Sequence, residues 1–239
     1  MSKKITKLPI VNFYDHIEKV DQAMYKYPNE SALNIKLPFR MLLCGPSGTG
    51  KTNLLLNIIK YIGIFDKIIL LAKDLEEPLY KHLIKAYASV EKKCKTGPML
   101  LAISNIKDMP AVADCNVKEN TLFICDDLIC EDKKDLKKVE AFWMNARKVS
   151  VSMVFLSQGY FCIPKFIRMN SNYILIKKLH TPKDMKALIR EYAVGVTPAQ
   201  MVEMYDYAMS GDPHTSFFMI DTETSNDRLK FRSQFYPFE

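Results

Sequence analysis

A glycine-rich segment between two apolar runs constrains the fold of this chain more than any other part of its sequence. Residues 45–52 read Gly-Pro-Ser-Gly-Thr-Gly-Lys-Thr, with an apolar run at 41–43 before them and a largely apolar run at 54–59 after them. The segment matches G-x-x-x-x-G-K-S/T, and its flanks predict a strand that enters the loop and a helix that leaves it. Glycines let successive backbone N–H groups point at one anion at a helix N-terminus, where the helix dipole also favours negative charge. The chain is therefore expected to bind a nucleoside triphosphate.

The same motif predicts a role for the residues after its last glycine. Lys51 is expected to neutralise oxygens of the β- and γ-phosphates, and the Thr52 hydroxyl is expected to ligate Mg²⁺. The predicted nucleotide-binding residues cover the loop and the first turn of the helix: Gly45, Pro46, Ser47, Gly48, Thr49, Gly50, Lys51, Thr52 and Asn53.

Apolar runs of strand length alternate with amphipathic segments of helix length from Phe39 onward. This alternation is typical of a mostly parallel sheet covered by helices on both faces. The predicted strands cover residues 39–44, 67–72, 121–125, 150–156, 172–177 and 215–221, with a late edge strand at 228–232. The predicted helices cover residues 51–61, 76–88, 134–148, 183–193 and 197–209.

Helix-capping signals in the sequence support this α/β prediction. Thr181-Pro182 and Thr197-Pro198 each place a capping hydroxyl before a proline at the first helical position. We expect a P-loop NTPase domain over residues 39–239, with C-terminal helices and edge strands. An N-terminal extension over residues 1–38, with a short helix-like stretch at 15–21, precedes it.

Composition argues against a secreted or membrane-spanning protein. No apolar run approaches the ~18 residues that cross a bilayer, and the N-terminus leads into no apolar signal segment. The six cysteines, at 44, 94, 115, 125, 130 and 162, include no C-x-x-C pair, and only four histidines accompany them. A disulfide framework or metal-binding cysteine cluster is therefore not expected, and a reducing compartment fits best.

The net charge of +7 permits a polyanionic partner, because clustered lysines and arginines release counterions when they contact phosphates. Two charged segments, 91–97 and 130–138, are predicted to be surface loops. Neither contains an aromatic residue for base stacking. The sequence leaves open whether they are simply solvated or face DNA.

A pair of carboxylates ends the apolar run at 121–125. At the end of such a strand in a P-loop NTPase, the first acid, here Asp126, orders the Mg²⁺ shell. The second acid, Asp127, is placed to take a proton from the attacking water. Read without the glycine loop, Asp-Asp after an apolar run is equally typical of a strand that enters a turn.

A polar amide ends the next apolar strand. Gln158 follows the run at 151–156, and ligands of open parallel sheets bind beyond the carboxyl ends of the strands. Gln158 is therefore expected to face the same crevice as Lys51 and to sense the γ-phosphate or the attacking water. This requires strand 150–156 to lie between strands 39–44 and 121–125.

Two arginines flank this sensor strand. Arg147 closes the helix before it, and Arg168 follows it in the stretch Ile163-Pro164-Lys165-Phe166-Ile167-Arg168. Either guanidinium could reach a γ-phosphate of the next subunit in an assembly and stabilise the transition state there. Each could instead cap a helix end or pair with a carboxylate.

These motifs together resemble the FtsK–HerA superfamily of P-loop ATPases. The resemblance rests on the glycine loop, on Leu-Phe-Ile-Cys-Asp-Asp at 122–127, and on residues 145–152 leading into Phe-Leu-Ser-Gln at 155–158. Within the superfamily, the short length and Pro-x-x-Ile-Arg-x-Asn at 164–170 are similar to the genome-packaging ATPases of nucleocytoplasmic large DNA viruses and virophages. The family usually has Glu at the position of Asp127, so the predicted catalytic base of this chain departs from the family pattern.

The resemblance implies an ASCE or RecA-like strand order, ATP as the nucleotide, and an oligomeric ring with ATP between subunits. Such a ring, a pentamer or hexamer, pulls double-stranded DNA into a preformed capsid. The implied partners are viral capsid or portal-vertex proteins, and the implied location is the viral factory in the host cytoplasm, or the virion. Two other functions stay open: a nucleoside or nucleotide kinase, and an ATP-dependent switch with little turnover.

Overall fold

The computed structural model of the protein describes residues 33–63, 65–95, 97–128 and 131–238. The strands are β1 Arg40–Cys44, β2 Lys67–Ala72, β3 Leu100–Ile103, β4 Thr121–Asp126, β5 Val151–Ser157, β6 Tyr173–Ile176, β7 Phe218–Asp221, β8 Phe231–Ser233 and β9 Tyr236–Pro237. The α-helices are α1 Lys51–Ile62, α2 Pro78–Cys94, α3 Lys133–Asn145, α4 Lys165–Met169, α5 Pro182–Tyr192 and α6 Pro198–Ala208. Short 3-10 helices cover Ile106–Asp108, Val112–Asp114, Ala146–Val149 and Asp227–Leu229.

Within these residues the strands form one sheet in the order β3-β2-β4-β5-β1-β6-β7-β8-β9. Strands β1 to β6 are parallel, and β7, β8 and β9 join antiparallel at one side. Strand β5 lies between β1 and β4, so Leu156 is opposite both Leu43 and Asp126. The strand order that the sensor prediction required is confirmed. The carboxyl ends of β1, β4 and β5 are therefore adjacent, where open parallel sheets bind ligands.

Helices cover both faces of the sheet, as predicted for an α/β P-loop fold. On one face, α1 and α2 pack through buried side chains such as Leu55, Ile58 and Tyr80. On the other face, α3 to α6 pack through buried side chains such as Trp143 and Leu188. The central strands are apolar on both sides because both sides are covered, which explains their near-continuous hydrophobic runs.

The predicted helix starts at Thr181 and Thr197 are confirmed. The Thr181 hydroxyl accepts a hydrogen bond from the Asp184 N–H at 3.3 Å, and the Thr197 hydroxyl accepts one from the Gln200 N–H at 3.2 Å. In each case a backbone donor without a helical partner is satisfied by the cap. The proline after each threonine occupies the first helical turn.

The prediction of loops at 91–97 and 130–138 was wrong over much of both segments. Residues 91–94 are the last turn of α2, and residues 133–138 begin α3. Lysine is a good helix former, so lysine-rich composition does not end a helix. A Glu91 carboxylate oxygen also accepts hydrogen bonds from the N–H groups of Met99 and Leu100, at 2.6 and 3.2 Å, which fixes this helix end against β3. Strand β3 and the short helix α4 had not been predicted.

The last residues of the predicted N-terminal extension pack onto the domain. Leu33, Ile35 and Leu37 are buried. The Arg232 guanidinium on β8 donates to the Leu33 carbonyl at 2.9 Å and to the Asn34 carbonyl at 3.4 Å. The helix-like stretch predicted at 15–21 lies outside the described residues. Among the helices that are described, none has the length and apolar character needed to cross a bilayer.

Candidate functional site

The glycine loop joins β1 to α1 in a conformation that only glycine adopts without strain. Gly48 and Gly50 have φ angles of +76° and +83°, in the left-handed region. A Cβ on Gly50 would lie 2.7 Å from the His214 carbonyl oxygen, whereas a Cβ on Gly48 would meet nothing within 4 Å. The loop is thus held from outside by the segment around His214, and Gly50 permits that close approach.

Internal hydrogen bonds hold the loop together. The Thr49 hydroxyl donates to the Pro46 carbonyl at 2.8 Å, and the Lys51 ammonium donates to the same oxygen at 3.0 Å. Burial lowers the pKa of Lys51, and the carboxylates of Asp126 and Asp127 oppose that shift. The lysine is therefore positioned between the loop and the acid pair at the end of β4.

The acid pair is oriented by neighbours from two other segments. The Tyr80 hydroxyl on α2 donates to Asp126 Oδ2 at 2.6 Å. Burial raises the pKa of Asp126, while the hydrogen bond from Tyr80 and the charge of Lys51 lower it. Asp127 has a φ of +53°, a conformation that aspartate tolerates better than most residues. The Gln158 side-chain amide donates to Asp127 Oδ2 at 3.3 Å.

These groups line one crevice of about 460 Å³. The structure brings together Lys51, Thr52, Asp126, Asp127 and Gln158, as the sequence predicted, and their chemical roles stay predictions. The crevice is also lined by residues that the sequence did not single out: Lys73, Asp74, Glu77, Leu79, Tyr80 and His214.

Glu77 and Tyr80 come from the start of α2, opposite the glycine loop. Burial raises the pKa of Glu77, and a hydrogen bond with the Thr52 side chain lowers it. Their place in the site depends on β2 lying next to β4, so no local motif marks them. The proline at Pro78, at the first turn of a helix, is the one sequence signal that a strand-to-helix junction is near.

A second cavity of about 330 Å³ adjoins the crevice and shares Asn53 and His214 with it. It follows one face of α1, where Asn57 and Tyr61 succeed Asn53 at helical spacing. Its other wall comes from the C-terminal strands and includes Tyr236. The two cavities together extend from the phosphate loop toward a more aromatic compartment.

Lys177 packs against the glycine loop and holds the segment around His214. It directly follows β6 and is fully buried, and its Nζ donates to the His214 carbonyl at 2.9 Å. Burial lowers its pKa to about 8. The Lys177 side chain also fills the space beside Gly45, where an added Cβ would lie 2.5 Å from Lys177 Cβ. No motif in the sequence marks this residue.

The two candidate finger arginines occupy different environments. Arg147 lies directly before β5, at the amino end of that strand, and its Nη1 is 3.6 Å from Glu223 Oε1. A strand of this length spans about 20 Å. Arg147 is therefore at the amino ends of the strands, whereas the crevice of its own subunit is at their carboxyl ends. The contact with Glu223 is the carboxylate pairing that the sequence left open, and the finger role of Arg147 stays a prediction.

Arg168 is buried, with 5% of its surface exposed. Its guanidinium pairs with Glu191 at 3.3 Å and stacks on Tyr160, 5.1 Å from the ring centroid. A group packed in this way cannot enter a neighbouring subunit without local unfolding. The pairing with a carboxylate is the alternative that the sequence left open, and the finger role of Arg168 stays a prediction.

Comparisons with known proteins agree with this fold. The B204 DNA-packaging ATPase of Sulfolobus turreted icosahedral virus is similar in fold, with a TM-score of 0.58 at 10% identity, over 83% of this chain and 97% of that one. The genome packaging NTPase B204 of Sulfolobus turreted icosahedral virus 2, in complex with AMP, gives a TM-score of 0.55 at 12% identity over the same shares. Comparison with curated protein sequences gives no match.

The family model described as "Poxvirus A32 protein" matches residues 25–225, which is most of the chain. The predicted resemblance to viral packaging ATPases is thereby confirmed, and so is the P-loop ATPase fold. This chain belongs to the poxvirus A32 protein family.

Proposed function

We propose that the protein is an ATP-driven motor that moves viral double-stranded DNA into a preformed capsid. The observation that carries the proposal is the one crevice shared by Lys51, the acid pair and Gln158, at the carboxyl ends of three adjacent strands. Membership of the A32 family and a fold shared with packaging NTPases support genome packaging over other P-loop functions.

The donor set of the crevice fits Mg²⁺ and the terminal phosphates of ATP. Thr52 offers a hydroxyl and Asp126 a carboxylate, and hard oxygen donors are the ligands that Mg²⁺ prefers. Thr52 and Asp126 would hold the ion, which would supply positive charge against the terminal phosphates. The Tyr80 hydroxyl fixes the orientation of the Asp126 carboxylate, as outer-shell partners of metal ligands do.

Asp127 and Gln158 both act on the attacking water. The Asp127 carboxylate accepts its proton, and the Gln158 amide, 3.3 Å from Asp127 Oδ2, orients it and registers whether the γ-phosphate is present. Lys51 neutralises charge that develops on the terminal phosphates. The Glu77 carboxylate also faces the crevice, within hydrogen-bond distance of the Thr52 side chain. It is therefore the alternative to Asp127 as the base.

The second cavity accommodates the base and ribose of the nucleotide. Its volume of about 330 Å³ and its aromatic walls suit a purine, and it opens from the crevice at Asn53 and His214. Tyr61 and Tyr236, which are both largely exposed, supply ring faces for stacking.

The motor acts as a ring of five or six subunits. Arg147 is our choice for the arginine finger. It lies at the amino end of β5, away from the crevice of its own subunit, which suits a site completed by the next subunit. Capsid or portal-vertex proteins dock the ring, and the protein works in the viral factory or the virion.

The test is ATP turnover measured against protein concentration, with and without duplex DNA, for the parent and for Lys51→Ala. We expect turnover per subunit to rise with concentration and again with DNA, and Lys51→Ala to have lost it. Parental turnover by Lys51→Ala would refute the site. A kinase would instead phosphorylate one member of a nucleoside panel without a DNA effect, and a switch would assemble with negligible turnover.

A further inference from the structure

We propose that the outer face of α5, together with Phe161, contacts the phosphate backbone of double-stranded DNA. We name this surface the α5 basic face and define it by Lys183, Lys186, Arg190 and Phe161. The inference rests on the proposed function, and it identifies the surface through which that function reaches DNA.

The cations of the α5 basic face form one stripe. Lys183, Lys186 and Arg190 are spaced by three and four residues, so they lie on one side of the helix, and all three are exposed. The opposite side packs into the core through Ala187 and Leu188. Such a stripe can follow the regularly spaced phosphates of one DNA strand.

The carboxylates of α5 point inward, and of the two, Glu191 comes within ion-pair distance of the stripe, at Arg190. Asp184 is buried; its Oδ1 accepts the Phe161 N–H at 2.7 Å, and its Oδ2 accepts the Thr181 hydroxyl at 2.6 Å. Glu191, with a side chain only 8% exposed, pairs with Arg168 at 3.3 Å and is 3.9 Å from Arg190. The acids thus hold the neighbouring loop in place, while the cations face solvent.

Phe161 gives the stripe a shaped wall. The residue is 42% exposed, and Lys183 Nζ lies 3.9 Å from the ring centroid. The cation–π contact restrains a side chain that is otherwise flexible. Phe161, the three cations and Ala187 line a shallow cavity of about 340 Å³, whose charged rim suits a phosphodiester.

The α5 basic face is also connected to the nucleotide site through a short segment of chain. Phe161 is three residues after Gln158, and a reciprocal hydrogen-bond pair between Ser157 Oγ and the backbone of Gly159 tightens the turn between them. A movement of Gln158 on loss of the γ-phosphate would therefore be passed to Phe161 and to the cation that stacks on it. This gives ATP hydrolysis a direct route to a DNA contact.

The test compares two triple variants of the full chain. The first carries Lys183→Gln, Lys186→Gln and Arg190→Gln. The control carries Lys85→Gln, Lys92→Gln and Lys93→Gln on α2, which removes the same number of exposed positive charges from another helix. Binding of a short fluorescent DNA duplex is measured by anisotropy over a range of salt concentrations, and ATP turnover without DNA reports folding.

We expect the slope of log affinity against log salt, which is negative, to become smaller in magnitude by about 2 to 3 in the α5 variant, since each lost phosphate contact is worth about 0.9. Its DNA-free turnover stays at the parental level. An α5 variant that changes the slope no more than the control does would overturn the inference and leave the motor standing. A parent that binds no duplex at any salt concentration would overturn both.

Discussion

The left-handed backbone of the glycine loop gives a prediction with a built-in control. Gly48→Ala and Gly50→Ala both force an alanine into the left-handed region, at a cost of about 1–2 kcal/mol each. Only Gly50→Ala also drives its Cβ to 2.7 Å from the His214 carbonyl oxygen, because the Gly48 position is open. Overpacking of this kind costs about 1–3 kcal/mol. We expect a loss of about 2–5 kcal/mol for Gly50→Ala and about 1–2 kcal/mol for Gly48→Ala.

Urea unfolding of the two variants measures the difference, which should lie near 1–3 kcal/mol, about the cost of the steric term. A fluorescent ATP analogue measures the effect on the site, and Gly50→Ala should bind it at least about tenfold more weakly than the parent does, as expected when backbone donors shift. Equal unfolding free energies would refute the argument that His214 closes on the loop.

Three further predictions concern the site and its support. Asp127→Asn should lower turnover by about 10²- to 10⁴-fold with nucleotide binding retained, and the same loss in Glu77→Gln instead would make Glu77 the base. Mixing Asp127→Asn protein with Arg147→Ala protein should restore part of the activity, and no rescue at any ratio would exclude a shared site. Since burial lowers the folded pKa of Lys177 from 10.5 to about 8, the unfolded state binds more protons between these values, so the free energy of unfolding should rise with pH there. Lys177→Met should remove that rise in urea titrations, whereas Lys178→Met, at an exposed neighbour, should keep it.

The core of the fold could be predicted because its strands are buried on both faces. Strands β1, β4 and β5 are continuous apolar runs that end in a glycine, an acid pair and an amide, so both their extent and their carboxyl ends can be read from the sequence. Strand β3 escaped because it has four residues and is half exposed at the sheet edge, which leaves too short a pattern.

The site could be predicted only as far as its residues sit at strand ends. Lys51, Asp126 and Gln158 are brought together by the strand order, which the sensor role required and the family resemblance implied. His214 lies in the loop between α6 and β7, and the antiparallel pairing of β7 with β6 brings that loop to Gly50. Only tertiary packing therefore places it. For Arg168 the sequence left a finger and a carboxylate partner both open, and the partner that the structure shows, Glu191, comes from a helix more than twenty residues away.

The most direct test of the central claim is ATP-dependent displacement of a third strand annealed to a DNA duplex. The account predicts that the parent protein displaces the strand only with ATP and Mg²⁺, at a rate that rises with protein concentration, and that Lys51→Ala displaces none. Steady ATP hydrolysis by the parent with no displacement at any concentration would contradict it, and would leave an ATPase that does not move along DNA.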